Sequence, residues 1–506
     1  MKELIEVVEP VAAPAQAGIL LKEPGLLRDK GYVGGNWTEA DGGDTFDVLN
    51  PATGELLSSV PRMGAAETRR AIDAAAGAYP EWRALLAKER AQIMRRWAEL
   101  LVEHIDDLAL LLTAEQGKPL VESEAEIVYA ASFLEWFGEE AKRVYGDTIP
   151  TYMQDRRVIV LKQPIGVSAG ITPWNFPAAM PTRKCAPALA AGNTMVLKPA
   201  EQTPLTALAV TKLGEEAGLP AGVFSVVTGD AADAPTIGEE MTSNPIVRKV
   251  GFTGSTEVGK LLMEQCSRQL KRISLELGGN APFIVFDDAQ LDAAVAGTVL
   301  CKYRNSGQTC ISANRILVQD GIYDDYLEKL VESVTTLKVG TGTEADVAIG
   351  PIIDDAGLAK VRRHVEDALD GGAELLTGGK PHELGRTFFQ PTVLVDVRPE
   401  MMMAREETFG PVAGIARFST EEEAVRAAND TPYGLAAYFY SRDLGRVWRV
   451  SEALEYGIVG INTGFISTEV APFGGMKESG IGREGSKYGI DDWVEIKYLA
   501  MAGVDT

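Results

Sequence analysis

The chain has 506 residues and carries 49 Lys and Arg against 72 Asp and Glu, which gives a formal net charge of −23. Such a length exceeds what one hydrophobic core supports, so two or more domains are expected. Apolar residues make up 45% of the sequence, as in ordinary globular proteins. The strong negative charge argues against nucleic acid and anionic membrane surfaces as partners, because the phosphates of both would be repelled.

The first 18 residues are acidic and rich in Ala and Pro. They lack the basic start and apolar middle of a secretion signal and the arginines of a mitochondrial presequence. No run of about 20 apolar residues predicts a transmembrane helix. We therefore expect residues 1–18 to be a flexible N-terminal extension of a soluble, cytoplasmic protein.

Residues 65–145 place apolar side chains at helical spacing and predict several helices. From about residue 157, short β-rich runs alternate with helical stretches, a pattern that predicts a parallel sheet wrapped by helices. A second series from about residue 283 to 457 predicts a second α/β domain, and residues 493–499 predict one more strand. The predicted strands of the two series are 158–161, 167–171, 194–197, 224–227, 247–252 and 273–275, then 283–286, 315–318 and 393–395.

Neither the cysteines nor the histidines follow a metal-binding spacing. No C-x-x-C pair is present, which argues against a zinc ribbon or a thioredoxin-like motif. The histidines are isolated, so we predict no metal site, a solvated surface position for each, and no His-dependent catalytic triad. The cysteines are Cys185, Cys266, Cys301 and Cys310, and the histidines are His104, His364 and His382.

Two segments carry candidate reactive side chains. In NSGQTC (residues 305–310), a glycine-containing loop ends in Cys310, and a thiolate is the best side-chain nucleophile near neutral pH. In LELGGN (275–280), Glu276 ends a short apolar strand, where a partly desolvated carboxylate has a raised pKa and can act as a general base. Taken alone, each has a structural alternative: a buried cysteine and a capping or ion-paired glutamate.

Three further segments follow predicted strands, where α/β folds open into a ligand cleft. In TPWNFP (172–177), the Asn175 amide is a rigid donor suited to an oxyanion, or else a turn residue. In KPAE (198–201), Lys198 and Glu201 suit a ribose, or else form a solvated ion pair. In GFTGSTEVG (251–259), a helix N-terminus suits a pyrophosphate, or else is an ordinary capped turn. This last segment is not G-x-G-x-x-G, so the general dinucleotide fingerprint does not apply.

These five segments, together with EETFGP (406–411) and PFGGMKESG (472–480), resemble in order and spacing the aldehyde dehydrogenase superfamily, from about residue 31 to 500. The resemblance implies an α/β fold with a Rossmann-type NAD-binding domain (19–147 and 164–277), an α/β catalytic domain (278–488) and a small β oligomerisation arm (148–163 and 489–506). Because strand edges in such an arm need a partner, a homodimer or homotetramer is expected.

The resemblance also implies roles for single residues. Cys310 attacks the aldehyde, Asn175 and the Cys310 backbone N–H hold the oxyanion, and Glu276 activates water to hydrolyse the thioester, which favours hydrolysis over transfer to coenzyme A. Glu201 beside the ribose 2′-hydroxyl favours NAD, with NADP possible. The cofactor-binding residues implied are Thr172, Pro173, Trp174, Lys198, Glu201, Gly254, Ser255, Leu277, Glu407 and Phe409.

Within the superfamily, YRNSGQTC (303–310), NTGFIS (462–467) and REGSKYGI (483–490) resemble the succinate-semialdehyde dehydrogenase subfamily. There Arg183, Arg304 and Ser467 would bind the distal carboxylate of the small-molecule substrate, since a guanidinium binds a carboxylate bidentately. Ser312 stands where some members carry a second cysteine, so we expect no disulfide switch. Glutarate semialdehyde and 2-oxoglutarate semialdehyde remain alternative substrates. A non-catalytic family member is disfavoured by the retained Cys310, Glu276 and Asn175.

Overall fold

The structure is a computed structural model that describes residues 19–503, so the extension expected over residues 1–18 lies outside the described residues. The strands are β1 (Gly31–Val33), β2 (Asn36–Thr38), β3 (Thr45–Leu49), β4 (Leu56–Pro61), β5 (Asp147–Ile149), β6 (Arg156–Pro164), β7 (Val167–Ile171), β8 (Thr194–Lys198), β9 (Phe224–Val226), β10 (Val247–Thr253), β11 (Arg272–Glu276), β12 (Ala281–Val285), β13 (Ala313–Gln319), β14 (Glu374–Thr377), β15 (Thr392–Val395), β16 (Val412–Phe418), β17 (Tyr433–Gly434), β18 (Ala436–Tyr440), β19 (Ile458–Ile461), β20 (Met476–Lys477), β21 (Gly480–Ile481) and β22 (Val494–Ala502). The helices are α1 (Ala65–Ala84), α2 (Ala87–Glu103), α3 (Ile105–Gln116), α4 (Leu120–Glu140), α5 (Ala179–Ala191), α6 (Pro204–Glu216), α7 (Ala234–Ser243), α8 (Thr256–Ser267), α9 (Leu291–Tyr303), α10 (Tyr323–Thr335), α11 (Asp355–Asp370), α12 (Met402–Arg405), α13 (Glu421–Asn429) and α14 (Leu444–Ala453).

The first sheet has the strand order β2-β1-β9-β8-β7-β10-β11-β21. Its five central strands are parallel, while β1, β2 and β21 are antiparallel additions at the edges. Most residues of the central strands are buried, as expected of strands covered on both faces by helices. The predicted parallel sheet with crossover helices is therefore confirmed.

The order of the central strands reverses at β7. The chain runs outward from β7 through β8 to β9, then returns to place β10 on the other side of β7. In open α/β sheets a crevice forms outside the carboxyl ends of the strands at such a reversal, and ligands bind there. The segments that follow β7 and β10 begin with Thr172 and Gly254, so the fold brings two of the predicted motifs to one crevice.

The second sheet has the order β14-β15-β16-β13-β12-β18-β19, parallel except for β14. All its strands lie between residues 281 and 461, whereas the first sheet takes its central strands from residues 167 to 276. The proposed boundary at residues 277 and 278 lies between these two sets. One strand departs from the proposed division, because β21 lies in the range assigned to the catalytic domain and pairs with β11 of the first sheet.

A third, three-stranded antiparallel sheet has the order β22-β6-β5. It is formed by the two segments assigned to an oligomerisation arm, which pair over nine residues from Val494 with Pro164 to Ala502 with Arg156. Alternate apolar residues on β22, such as Ile496 and Tyr498, are exposed. Pairing of this sheet with another subunit stays a prediction.

Helices α1–α4 occupy the region predicted to be helical. Helices α1, α5 and α6 pack on the first sheet, and α2–α4 pack against α5 and α6. Every residue of α5 is buried, including Arg183 and Lys184. Among the described residues, no helix is both long and apolar enough to cross a bilayer. The cytoplasmic location stays a prediction.

Candidate active site

A cavity of about 680 Å³ opens between the carboxyl ends of the first sheet and the loops of the second. This volume is typical of sites for small molecules and cofactors. Three predicted residues, Thr172, Lys198 and Glu201, lie outside its lining, at or just beyond the carboxyl ends of β7 and β8. The predicted residues that line it are Pro173, Trp174, Asn175, Arg183, Gly254, Ser255, Glu276, Leu277, Arg304, Cys310, Glu407, Phe409 and Ser467.

Cys310 is half-buried in the cavity wall, whereas the other three cysteines are buried. Burial raises the pKa of its thiol to about 12; the carboxylates of Glu407 and Glu276 add to this shift, and the guanidinium of Arg183 opposes it. The side chain is therefore a protonated thiol at neutral pH and must lose its proton before it can act as a nucleophile.

Asn175 lies in the turn after β7 and is buried. Its Nδ2 donates a hydrogen bond of 3.0 Å to the carbonyl oxygen of Gln308, two residues before Cys310. A side-chain amide carries two N–H donors, so one donor orients the amide and the second remains for a ligand oxygen. This arrangement connects the predicted oxyanion donor directly to the loop of the predicted nucleophile.

Glu276 ends β11 and its side chain is 3% exposed. Neither carboxylate oxygen has a hydrogen-bond partner in the structure. Burial, with repulsion from Glu484, raises its pKa well above the usual value, while Arg183 and Lys184 oppose the shift. A buried carboxyl without partners in a cavity wall is held ready to exchange a proton.

Gly474 lies against this carboxyl group. A Cβ at residue 474 would be 2.9 Å from Glu276 Oε1. The glycine in the predicted segment 472–480 therefore leaves the space that the Glu276 side chain occupies.

Arg183 is buried and lies against two aromatic rings and one carboxylate. Its Nη2 is 2.9 Å from Glu484 Oε2, and its guanidinium carbon is 4.0 Å from the ring centre of Phe473 and 5.7 Å from that of Phe133. Much of the positive charge of Arg183 is neutralised within the protein. Arg183 is therefore less available to bind a substrate carboxylate than sequence analysis expected.

Arg304 differs from Arg183 in this respect. It forms no salt bridge within residues 19–503, and its guanidinium carbon lies 5.7 Å from the ring centre of Phe176 and 5.1 Å from that of Phe465. Ser467 lines the same cavity. The structure thus places a cation that forms no salt bridge within residues 19–503, and that lies near two aromatic rings, in the same cavity as the Ser467 hydroxyl.

Another part of the cavity wall is formed by residues predicted to bind the cofactor. Trp174 and Phe409 pack edge to face, with ring centres 5.5 Å apart. Glu407 accepts a hydrogen bond of 3.2 Å from the backbone N–H of Gly279, and burial raises its pKa to about 7. Phe409 has a φ of +57°, a strained value for an aromatic residue of the kind often found in ligand sites.

Ser255 is the N-cap of α8, and its hydroxyl accepts a hydrogen bond of 3.3 Å from the backbone N–H of Val258. The segment is therefore a capped turn, which was one of the two alternatives for it. The cap is compatible with phosphate binding, because the N–H groups and the dipole at the N-terminus of α8 favour a phosphate. Ser255 lines the cavity together with Gly254.

Lys198 and Glu201 lie beyond the lining, at the end of β8. Lys198 is buried, and its Nζ is 3.5 Å from Glu201 Oε2. The backbone N–H of Thr172 donates to the carbonyl oxygen of Lys198, which joins this pair to the turn after β7. The pair is thus a neighbour of the crevice and not part of the cavity wall.

These groups fit a nicotinamide dinucleotide. A helix N-terminus suits its pyrophosphate, the carboxylates of Glu407 and Glu201 suit hydroxyls of its two riboses, and Trp174 and Phe409 suit its apolar ring faces. The fit rests on the donor set and on its position at the strand reversal.

The expectation that all three histidines are solvated is wrong for His364. Its side chain is fully buried, and Nδ1 lies 3.2 Å from the hydroxyl of Thr408, which stands in the sequence between the predicted cofactor-binding residues Glu407 and Phe409. Burial lowers its pKa to about 4, so it is neutral at physiological pH. Within residues 19–503, no cluster of three His, Cys, Asp or Glu is arranged to hold a metal ion.

Sequence analysis missed a set of buried polar residues around the cavity, two of which, Lys118 and Glu126, line it. They have no regular spacing and come from several elements; the one sequence signal was the Gly-Lys-Pro interruption between α3 and α4, which places a lysine at a helix boundary. The residues are Gln116, Lys118, Glu126, Lys184 and Glu484.

Comparison with known proteins agrees with this geometry. The profile of the Aldehyde dehydrogenase family matches residues 37–499. The chain is 63% identical over 484 residues to a glutarate-semialdehyde dehydrogenase of Pseudomonas aeruginosa, covering 96% of this chain and 100% of that protein. It is 62% identical over 481 residues to GabD of Escherichia coli, named as a succinate-semialdehyde dehydrogenase [NADP(+)], covering 95% of this chain and 99% of that protein.

A solved structure gives the same result for the fold. The crystal structure of succinate-semialdehyde dehydrogenase from Burkholderia pseudomallei superposes with a TM-score of 0.94 at 62% identity, covering 95% of this chain and 99% of that one. The chain belongs to the aldehyde dehydrogenase family. It is an enzyme of the NAD(P)-dependent aldehyde dehydrogenase class, and the resemblance seen in the sequence is confirmed.

Proposed function

We propose that this enzyme oxidises succinate semialdehyde to succinate through a thioester on Cys310, with NAD as its preferred cofactor. One observation carries the proposal: Cys310, Asn175 and Glu276 line a single cavity together with Arg304, whose guanidinium forms no salt bridge within residues 19–503. A nucleophile, an oxyanion donor, a base and a cation for a distal carboxylate are thus available to one small molecule.

In the first step, deprotonated Cys310 forms a bond from Sγ to the aldehyde carbon. The electron pair of the carbonyl moves to its oxygen, and the free N–H of the Asn175 amide stabilises the resulting oxyanion. Arg183 favours the thiolate because its positive charge opposes the rise that burial causes in the pKa of Cys310. The Gln308 carbonyl holds the Asn175 amide in place, so little reorganisation is needed as the charge develops.

Glu407, Phe409 and Ser255 would hold a nicotinamide cofactor, which would supply the hydride acceptor that oxidation of the Cys310 adduct to a thioester requires. Glu276 then takes a proton from water while the water oxygen bonds to the thioester carbon. The carbon–sulfur bond breaks, the acid leaves and the Cys310 thiolate is restored. The raised pKa of Glu276 brings its basicity toward the range in which a general base is effective.

Arg304 is the main determinant that we propose for the substrate carboxylate. The alanine variant Arg304→Ala should lower kcat/KM for succinate semialdehyde on the order of 10²-fold, because a charge-assisted hydrogen bond contributes about 1.5–3 kcal/mol. The rate with butanal, which has no carboxylate, should change little. Steady-state kinetics with both aldehydes measures this, with Arg304→Lys as a variant that keeps the charge.

Equal losses on both aldehydes would contradict the carboxylate-binding role of Arg304. Arg183→Ala is a less specific test, because it removes one of the two cations, Arg183 and Lys184, that pair with the buried Glu484 carboxylate, and so lowers stability as well.

The chain length of the substrate is proposed less directly than its carboxylate. One methylene changes binding by about 1–3 kcal/mol, so glutarate semialdehyde and 2-oxoglutarate semialdehyde are the alternative substrates. The relatives at 62% and 63% identity carry the names of a succinate and a glutarate semialdehyde enzyme. Comparison of kcat/KM over a series of ω-carboxy aldehydes decides among them.

The NAD preference rests on the charge around Lys198. Burial lowers the pKa of Lys198, and the carboxylates of Glu201, Asp233 and Asp230 act in the opposite direction, so three negative charges lie near this one lysine. A ribose hydroxyl can donate to Glu201, whereas the 2′-phosphate of NADP would be repelled by these carboxylates.

The variant Glu201→Ser should therefore raise the ratio of kcat/KM for NADP over that for NAD by about 10- to 100-fold, as removal of a like-charge contact predicts. Glu216→Ser is the matched control, since it removes the same charge from an exposed carboxylate at the end of α6. If the ratio of kcat/KM for NADP over that for NAD is equal in both variants, Glu201 does not determine the choice of cofactor.

We also propose that the enzyme is a homodimer or homotetramer whose subunits associate through the β22-β6-β5 sheet. The support is the row of exposed apolar side chains on β22 and the unpaired edge of this strand.

A further inference from the structure

A turn with an unusual backbone precedes Cys310. Asn305, Ser306 and Gly307 have φ values of +51°, +55° and +74°, which place three consecutive residues in the left-handed region. Asparagine tolerates this region better than most residues and glycine adopts it freely, but a run of three is costly unless its surroundings impose it. The backbone N–H of Asn305 donates to Glu122 Oε2 at 2.8 Å, and the Ser306 hydroxyl donates to the carbonyl oxygen of Gly350 at 2.9 Å.

The side chain of Asn305 connects the two loops that form the reactive centre. Its Nδ2 donates to the backbone carbonyl of Asn175 at 3.1 Å and to that of Gln308 at 3.3 Å. Its Oδ1 accepts a hydrogen bond of 3.0 Å from Gln116 Nε2, which fixes the orientation of the amide. Asn305 is 1% exposed, so all these bonds are made away from solvent.

A buried ion pair supports the Asn175 loop from the other side. Lys118 Nζ donates to the backbone carbonyl of Asn175 at 2.8 Å and pairs with Glu126 at 2.5 Å. The second oxygen of Glu126 accepts the backbone N–H of Ala178 at 2.9 Å. The carbonyl of Asn175 thus receives two side-chain donors, from Lys118 and from Asn305, which restrict movement of its loop.

We propose that Asn305 is a positioning residue that sets the Asn175 amide against Cys310. It does so through two backbone carbonyls: that of Asn175 itself, and that of Gln308, which also accepts the Asn175 side-chain amide. This inference rests on the proposed role of Asn175 in formation of the thioester. A shift of about 1 Å in such a donor is enough to slow the reaction on the order of 10²-fold.

The test compares two variants within the turn. Asn305→Gly removes the bridging amide, and Ser306→Gly removes a hydroxyl of similar burial that does not contact Asn175; glycine keeps the left-handed backbone in both. In rapid mixing with NAD⁺ and succinate semialdehyde, the rate of the first turnover of NADH should fall on the order of 10²-fold in Asn305→Gly and stay close to that of the parent enzyme in Ser306→Gly.

A second measurement separates positioning from general disorder of the loop. Alkylation of Cys310 by iodoacetamide needs the thiolate but no oxyanion donor, so its rate should be retained in Asn305→Gly. Equal losses in alkylation and in the first turnover would overturn the proposal.

A double-mutant cycle with Asn175→Ala tests the route of action. If Asn305 acts through Asn175, adding Asn305→Gly to Asn175→Ala slows the first turnover no further, whereas independent, multiplicative losses would overturn the proposal.

Should Asn305→Gly fail to fold, Asn305→Asp, which keeps an oxygen facing Gln116, takes its place with the same expectations. A parent enzyme that releases no NADH from this aldehyde would instead refute the proposed function. This result differs from those that would overturn the role of Asn305, so the two failures can be told apart.

Discussion

Replacing Cys310 by alanine is expected to lower kcat by on the order of 10⁴-fold or more, because it removes the thiol on which the covalent adduct is proposed to form. Of the four cysteines, Cys310 alone lines the cavity; the other three are buried. The variant should still bind NAD⁺, since the groups proposed to hold the cofactor are unchanged. Steady-state release of NADH measures the first effect, and quenching of intrinsic fluorescence by NAD⁺ measures the second.

Cys266→Ala is the matched control for this experiment. It removes a buried thiol at the end of α8, outside the cavity, and should keep a turnover close to that of the parent enzyme. Cys310→Ser should be nearly as slow as the alanine variant, because a hydroxyl in this buried site is far harder to deprotonate than a thiol. A fully active serine variant would exclude thiol chemistry at residue 310.

The second large effect is expected for Glu276→Gln. The amide has the shape of the carboxyl group but cannot accept a proton from water, so steady-state kcat should fall by about 10²- to 10⁴-fold. The thioester should still form, so the first turnover should appear as a burst of NADH of about one equivalent per active site. Loss of the burst together with the turnover would mean that Glu276 acts before hydrolysis.

The role of Glu276 as a base also predicts the direction in which turnover changes with pH. Burial and Glu484 raise the pKa of Glu276 well above its usual value, so the group is protonated at low pH and cannot serve as a base. Turnover limited by hydrolysis should therefore increase as the pH rises through this raised pKa. The increase should be absent from the slow residual turnover of Glu276→Gln, and a variant that keeps the same profile would assign the titration to another group.

The sequence was sufficient to predict the elements that carry a strong hydrophobic signal. The β-rich run 167–171 coincides with β7, and the runs that predicted β8, β10 and β11 differ by one or two residues at their ends. Their carboxyl ends then bring Asn175, Gly254 and Glu276 to one crevice, as strand ends in parallel sheets do. The short antiparallel strands β1, β2 and β21 were not predicted, because two or three residues carry no readable alternation.

Contacts between distant segments could not be predicted in the same way. Arg183 and Glu484 are 301 positions apart and meet only because α5 packs beneath the C-terminal loops. The burial of His364 was missed because a histidine on an amphipathic helix gives no sign of which neighbour covers it. The bridge from Asn305 to Asn175 was missed for the same reason, since a turn sequence does not show what its side chains reach.

The measurement that tests the central claim most directly is mass analysis of the Glu276→Gln variant after mixing with NAD⁺ and succinate semialdehyde and quenching with acid. The variant should accumulate the acyl group of the substrate on the peptide that contains Cys310, in an amount equal to the NADH formed in the burst. NADH formed while Cys310 stays unmodified, or an acyl group found on another residue, would contradict the account.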